Sequence, residues 1–177
     1  LAVDIGGATT DVYSMASGEP TVDNTMLKGL PEPWMKRTVE GDLGMRYSLT
    51  HVYEQIPGSD NPANEYMQQV KAWVELCTAR PDTLAAPGSE EEKLEEFLGR
   101  SAVSMAVERH CGRIADVFTP LGLMHTQEGK DLMNVPSVIG IGGVLRNSRR
   151  PEEILKGSLY DFMHPECTKP RKPKFYL

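Results

Sequence analysis

The sequence predicts an α/β domain whose mixed sheet opens with a three-strand antiparallel meander, with helices on both faces and a small helical insertion. Three observations predict it. Residues 1–5 are apolar except for Asp4, Gly6 and Gly7 make a turn, and residues 12–15 resume β-favouring side chains behind Asp11. Lys36-Arg37-Thr38-Val39-Glu40 reads as a third strand ending at Gly41-Asp42-Leu43-Gly44. Far downstream, residues 135–141 form a buried-type strand that runs into Gly142-Gly143.

The remaining elements follow in order. Residues 20–35 are irregular, interrupted by Pro31 and Pro33. Met45, Leu49, Val52, Tyr53 and Ile56 recur at helical spacing until Pro57-Gly58 stops the run. Asn64 is the N-cap of a helix over 64–78, carried by Tyr66, Met67, Val70, Trp73, Val74 and Cys77. Pro81, Pro87 and Gly88 then mark a loop, so residues 57–88 read as an insertion dividing a main domain made of 1–56 and 89–177. Ser89 opens a long helix with Glu92 at the capping-box position, and its apolar pattern continues to Phe118, weakened at Gly99 and Gly112. Pro120 and Gly122 end it, and His110 with Cys111 fills space on it. Beyond a polar stretch over 125–134 and the strand to Ile141, Pro151-Glu152-Glu153 opens a short helix. The tail from Pro165 is extended until Phe175-Tyr176-Leu177 begins a strand.

Composition narrows the class. A chain of 177 residues with 40% hydrophobic and 25% charged residues has the make-up of an ordinary globular domain. The net charge of −6 argues against nucleic acid as a partner, because backbone-phosphate binding draws on excess Lys and Arg. Cys77, Cys111 and Cys167 are widely spaced without a C-x-x-C pair, which suggests neither zinc nor a disulfide framework and fits a reducing cytoplasm. No apolar run approaches the roughly 20 residues of a membrane span. A start at Leu1, inside a strand pattern and without a basic leader, leads us to expect a fragment of a longer protein.

Two glycine turns carry the chemistry. In Asp4-Ile5-Gly6-Gly7-Ala8-Thr9-Thr10-Asp11, glycines leave no Cβ to block an anion, so the N–H groups of Gly6, Gly7 and Ala8 can face a phosphate. The Thr9 and Thr10 hydroxyls add donors, and Asp4 and Asp11 can hold a hydrated magnesium ion or orient a water. The second turn, Gly140-Ile141-Gly142-Gly143, fails the dinucleotide fingerprint, since Leu145 stands where Gly or Ala is required. On its own, a buried strand ending in Gly-Gly with Arg146 shortly after reads as a strand-to-helix turn with a surface arginine. It also resembles the adenosine motif of the actin-like ATPases, a resemblance that implies close approach of the nucleotide to the backbone and stacking of a planar guanidinium on the base.

The opening string resembles the second phosphate motif of the actin-like ATPase superfamily, whose domains have a ribonuclease-H-like fold. DIGGATTDVYS, KRTVEGDLGMRYS, HTQEGKDL and VIGIGGVLRN together resemble the MutL family associated with coenzyme-B12-dependent glutamate mutase, over nearly the whole chain. The resemblance implies the second, nucleotide-binding domain of an actin-like ATPase. It implies ATP and magnesium as cofactors and a role as a chaperone-like reactivating factor for an adenosylcobalamin-dependent mutase. Asp4 and Asp11 would be the catalytic and magnesium-holding acids. Gly6, Gly7, Ala8, Thr9 and Thr10 would take the phosphates, Gly41 and Asp42 would approach the ribose, and Gly142, Gly143 and Arg146 would take the adenosine. The implied partners are a first domain preceding this stretch and the mutase subunits, with neither nucleic acid nor membrane. Taken alone, the 177 residues are expected to bind ATP weakly or not at all and to lack ATPase activity. Two other functions stay open on the residues: a small-molecule kinase of the same superfamily and a nucleotide-gated scaffold.

Overall fold

The computed structural model describes residues 1–120 and 122–177. Strands β1 (Ala2–Ile5) and β2 (Thr10–Met15) form the opening hairpin. A short β3 (Thr25–Lys28) leaves the sheet before β4 (Met35–Glu40) returns to pair antiparallel with β2. Three helices follow, α1 (Leu49–Glu54), α2 (Glu65–Ala79) and α3 (Glu90–His110), then a hairpin of β5 (Arg113–Thr119) and β6 (Gly122–Glu128). Strand β7 (Ser137–Ile141), helices α4 (Gly143–Asn147) and α5 (Pro151–Leu155), a 3-10 turn (Lys156–Ser158) and β8 (Lys174–Tyr176) complete the described elements.

The main sheet runs β4-β2-β1-β7-β8, antiparallel across its first three strands and parallel from β1 to β8. This is the meander followed by a buried parallel strand that the sequence predicts. The strand expected from Phe175 is present as β8, docked parallel to β7.

Helix starts agree with their capping chemistry. The Asn64 side chain accepts the Met67 N–H at 3.2 Å, and the Ser89 hydroxyl accepts the Glu92 N–H at 3.2 Å. Glu92 reaches one residue further back than a capping box would, taking the Gly88 N–H at 2.5 Å and pairing with Arg149. Along α2, Met67, Val70, Trp73, Val74 and Cys77 enter the same core as Val3, Ile5 and Val12 of the sheet and Leu98 and Val103 of α3.

Three expectations are corrected. The long helix stops at His110: Cys111 is extended, and at Gly112 a Cβ would come within 2.8 Å of the Gly129 backbone. Ile114, Val117 and Phe118 then belong to β5, which pairs with β6, while β3 joins the other side of β6 to give a second, three-stranded sheet. The helix expected over 45–56 is shortened to α1, because the N–H groups of Met45, Arg46 and Tyr47 bond the carbonyls of Gly6 and Gly7 instead of an earlier turn. Finally, the described helices lie on one face of the main sheet only. The crossovers β4→β7 and β7→β8 step the same way across the sheet, so right-handed connections put both on one side. There α3 reaches Thr38 and Ser14 through His110, and Leu145 of α4 and Leu155 of α5 close over Gly140.

Cysteine spacing also concealed a neighbourhood. Cys111 and Cys167, far apart in sequence, pack in one small cluster with Leu132 and Val135, both as free thiols.

His110 ties α3 to the sheet. It is fully buried, with Nε2 2.8 Å from Ser14 Oγ and Nδ1 2.9 Å from Thr38 Oγ1. Burial, aided by the positive charges of Lys36 and Lys130, pushes its pKa down to about 3. An unfolded histidine takes up its proton near pH ~6.5, which the folded site refuses, so stability is retained above that pH and falls as pH is lowered towards about 3. Urea unfolding across that window should show the slope, and His110→Gln should flatten it. Equal slopes in the two proteins would assign the pH dependence to other groups.

Candidate functional site

The first glycine turn is built by the hairpin and clamped from outside. Ile5 pairs with Thr10, and the Gly6 N–H closes the turn onto the Thr9 carbonyl at 2.9 Å. Segment 45–48 then grips the turn by its oxygens. The Gly6 carbonyl accepts Met45 N–H at 3.0 Å, and the Gly7 carbonyl accepts Arg46 N–H at 2.8 Å and Tyr47 N–H at 2.9 Å. Ser48 Oγ donates to the Ala8 carbonyl at 3.2 Å and to the Gly41 carbonyl at 2.8 Å. Gly44 lies so close that a Cβ there would overlap the Ala8 carbonyl. In a planar trans peptide the C=O and the next N–H point opposite ways. Pinning the carbonyls of Gly6 and Gly7 therefore aims the N–H groups of Gly7 and Ala8 away from the clamp, and neither has a hydrogen-bond partner among the described residues. Arg46 holds the clamp in place through Pro81, Thr83 and Glu95, the last at 2.6 Å.

Asp4 and Asp11 sit opposite each other in the β1–β2 register, which puts both carboxylates on one face of the sheet. Asp11 Oδ1 is buried without a hydrogen-bond donor, the Arg37 guanidinium standing off at 3.5 Å. A buried carboxylate oxygen with no donor is costly to leave bare, which suits a site that receives a cation or a water.

The second glycine turn reaches the first through the parallel pairing of β1 with β7. Asp4 is in register with Ile141, so Gly142 falls at the tip of β1. Gly142 has φ +110°, and a Cβ there would overlap the Ile5 carbonyl and come 3.0 Å from Asp4 Oδ1. An open cavity of about 500 Å³ begins at this point, lined by Gly140, Ile141, Gly142, Gly143, Leu145, Arg146 and Leu177. It is within the range of small-ligand pockets and lies beyond the carboxyl ends of parallel strands, where α/β sheets bind ligands. A larger groove of about 690 Å³ runs along the 57–62 loop and α2, away from the strand ends.

The structure thus brings Asp4, Gly7, Ala8, Thr9, Asp11, Gly142, Gly143 and Arg146 to one end of the sheet, while Gly6, Thr10, Gly41 and Asp42 each engage a polar group within the fold. Gly6 uses its N–H within the turn. Thr10 is fully buried and donates its hydroxyl to the Leu43 carbonyl at 2.6 Å, so it supports the turn from behind. Asp42 is held by Arg109 at 2.7 and 2.8 Å and by Gln55 at 3.1 Å, and Arg109 also grips Glu40. The Arg109 guanidinium lowers the Asp42 pKa to about 2, and the neighbouring Gly41 carbonyl is engaged by Ser48. Both residues therefore brace the end of β4. Sequence reasoning missed segment 44–48 as the clamp; its signal was Gly44, which reads as a plain turn residue until the Ala8 backbone lies against it.

No set of three or more His, Cys, Asp and Glu side chains is placed to hold a metal among the described residues. Asp4 and Asp11 supply two carboxylates, a donor set that fits magnesium, which keeps several of its waters. No helix among the described residues is long and apolar enough to cross a membrane.

A family profile described as MutL protein matches residues 1–177. This chain belongs to the MutL protein family. It is 45% identical over 180 aligned residues to the protein named Protein MutL of Clostridium tetanomorphum, covering 100% of the chain and 38% of that relative. The chain thus spans well under half the length of the curated relative it matches. No solved structure matches it.

The contact between the two glycine turns makes a sharp steric prediction. Gly142→Ala should destabilise the fold by about 1–3 kcal/mol through backbone strain at positive φ alone. Gly143→Ala, whose Cβ would meet nothing within 4 Å, should stay within about 1 kcal/mol of the parent. Denaturant titration of the two variants checks this; equal stabilities would contradict the close approach of β7 to Ile5.

Proposed function

We propose that this MutL-family chain forms one wall of an actin-like ATPase cleft, in a protein that acts as a chaperone-like reactivating factor for an adenosylcobalamin-dependent mutase of the glutamate mutase type. The observation that carries the ATP reading is the junction of the two glycine turns at the carboxyl ends of β1 and β7. Unpaired N–H groups face one side of it, a carboxylate oxygen without a hydrogen-bond donor lies beside it, and an apolar cavity opens beyond it. The antiparallel meander leading to a parallel strand with a glycine turn supports the actin-like fold. Membership of the MutL family supports the mutase connection.

In this reading the Gly7 and Ala8 N–H groups, with the Thr9 hydroxyl, bind the terminal phosphates as fixed dipoles that need no reorganisation. Asp4 and Asp11 would hold magnesium, and Asp11 would orient a water with the Oδ1 that accepts no hydrogen bond. Magnesium there supplies charge neutralisation of the phosphates. Arg146 stacks on the base, and the Gly140 and Leu145 side of the cavity gives it an apolar floor. A first domain outside these residues supplies the opposite wall, so the 177 residues alone are inactive. ATP state then becomes domain closure, which the mutase subunits sense.

The test uses the full-length protein with ATP and magnesium. It should hydrolyse ATP and restore activity to a mutase inactivated by damaged cobalamin. Asp11→Asn should lower hydrolysis roughly 100-fold or more while ATP affinity is largely kept. Unchanged hydrolysis in that variant removes Asp11 from catalysis, and cobalamin exchange that ignores ATP removes the reactivation role.

A further inference from the structure

Two cysteines that the candidate site does not use, Cys111 and Cys167, meet where α3 gives way to β5. The Ile114 N–H donates to the Glu166 carbonyl at 2.8 Å and the Thr168 N–H to the Gly112 carbonyl at 3.0 Å, so Arg113 and Cys167 form an antiparallel bridge. Alternate residues of an extended segment share a side. Cys111, extended and two positions before Arg113, therefore stands diagonally across from Cys167. The two thiols hydrogen-bond to each other and share a small cluster with Leu132 and Val135.

Space-filling does not account for their surroundings. Cys77, the third cysteine, lies fully buried in the main core, where burial raises its pKa to about 11. Around the pair, charged groups gather instead: Arg113 and Lys169 are positive, Glu108 and Glu166 negative. Lys169 is held by Glu108 at 3.0 Å and by Ser104 at 2.9 Å, while Arg113 stands 3.5 Å from Glu166. The hydrogen bond from Cys111, helped by the Arg113 guanidinium, holds the Cys167 thiol below its ordinary pKa. The same bond, together with burial, pushes Cys111 up. A thiol that ionises readily beside one that does not supplies an attacking sulfur and a resolving one. Cys111 is 7% exposed and Cys167 1%, so the reagent that reaches them must be little larger than water.

We propose that Cys111 and Cys167 form a reversible disulfide driven by a peroxide, fastening the end of α3 to the segment that precedes β8. The Cys167 thiolate attacks one oxygen of hydrogen peroxide: an S–O bond forms, the O–O bond breaks, and the departing hydroxide takes a proton to become water. Cys111 then gives up its proton and attacks the Cys167 sulfenic sulfur, forming the S–S bond and expelling the second oxygen as water. The two sulfurs lose two electrons, and one peroxide becomes two waters. His110 already ties α3 to β2 and β4, so the bond locks the junction between the main sheet and the β5–β6 hairpin. The inference stands whether or not the glycine turns bind ATP.

Brief hydrogen peroxide treatment of the natural full-length protein, followed by peptide mapping, tests it. A peptide pair joined through Cys111 and Cys167 should form at least about tenfold faster than Cys77 oxidises, and dithiothreitol should reverse it. Its rate should rise with pH through a midpoint below the ~8.5 of a free thiol. Cys111→Ser should stop at a sulfenic acid on Cys167 that dimedone captures, and Cys167→Ser should leave Cys111 as slow as Cys77. The proposal is overturned if Cys111 and Cys167 remain thiols when Met163, 82% exposed, has become sulfoxide. Oxidation of Cys167 without the link, or a rate equal to that of Cys77, overturns it as well.

Discussion

Everything at the candidate site depends on one backbone contact, that between Gly142 and the Ile5 carbonyl. The parallel pairing of β1 and β7 fixes its register, and only a residue without a Cβ fits where the two strand tips meet. Because Gly142 takes a left-handed φ there, the chain turns sharply into α4 and leaves the Gly140–Arg146 cavity open beyond the strand ends. A bulkier residue at this point would push β7 away from β1 and separate the two glycine turns.

The turn over Gly6–Thr9 is held differently. Its carbonyls are engaged by the N–H groups of residues 45–47, its Ala8 carbonyl by Ser48, and Gly44 packs flat against it. Arg46, anchored to Glu95 of α3, transmits the rigidity of the long helix to this loop. What is left without a hydrogen-bond partner is a pair of N–H groups and the buried Oδ1 of Asp11. Rigid donors and acceptors that have no internal partner are the signature of a site arranged for a ligand rather than for folding.

Much of this was legible in the sequence where local chemistry decides structure. Caps at Asn64 and Ser89, the meander, the two glycine turns and the final strand all follow from residue type and spacing. What escaped is where tertiary pairing overrides local pattern. Ile114, Val117 and Phe118 continue a helical spacing yet form a strand, because β6 offers a partner and Gly112 breaks the helix. Thr10 and Asp42 have the right chemistry for a ligand but spend it on Leu43 and Arg109, which no spacing reveals. The alternation of β1 and β7 could not say that one face of the sheet would stay bare, since that depends on which way the crossovers run.

The central claim is that the two glycine turns act as one nucleotide site. It is tested most directly by a crystal structure of the full-length protein with magnesium and a non-hydrolysable ATP analogue. The account predicts phosphate oxygens on the N–H groups of Gly7 and Ala8, with the base against Gly142 and Arg146. A nucleotide bound elsewhere, or one that touches only one of the two turns, would contradict it.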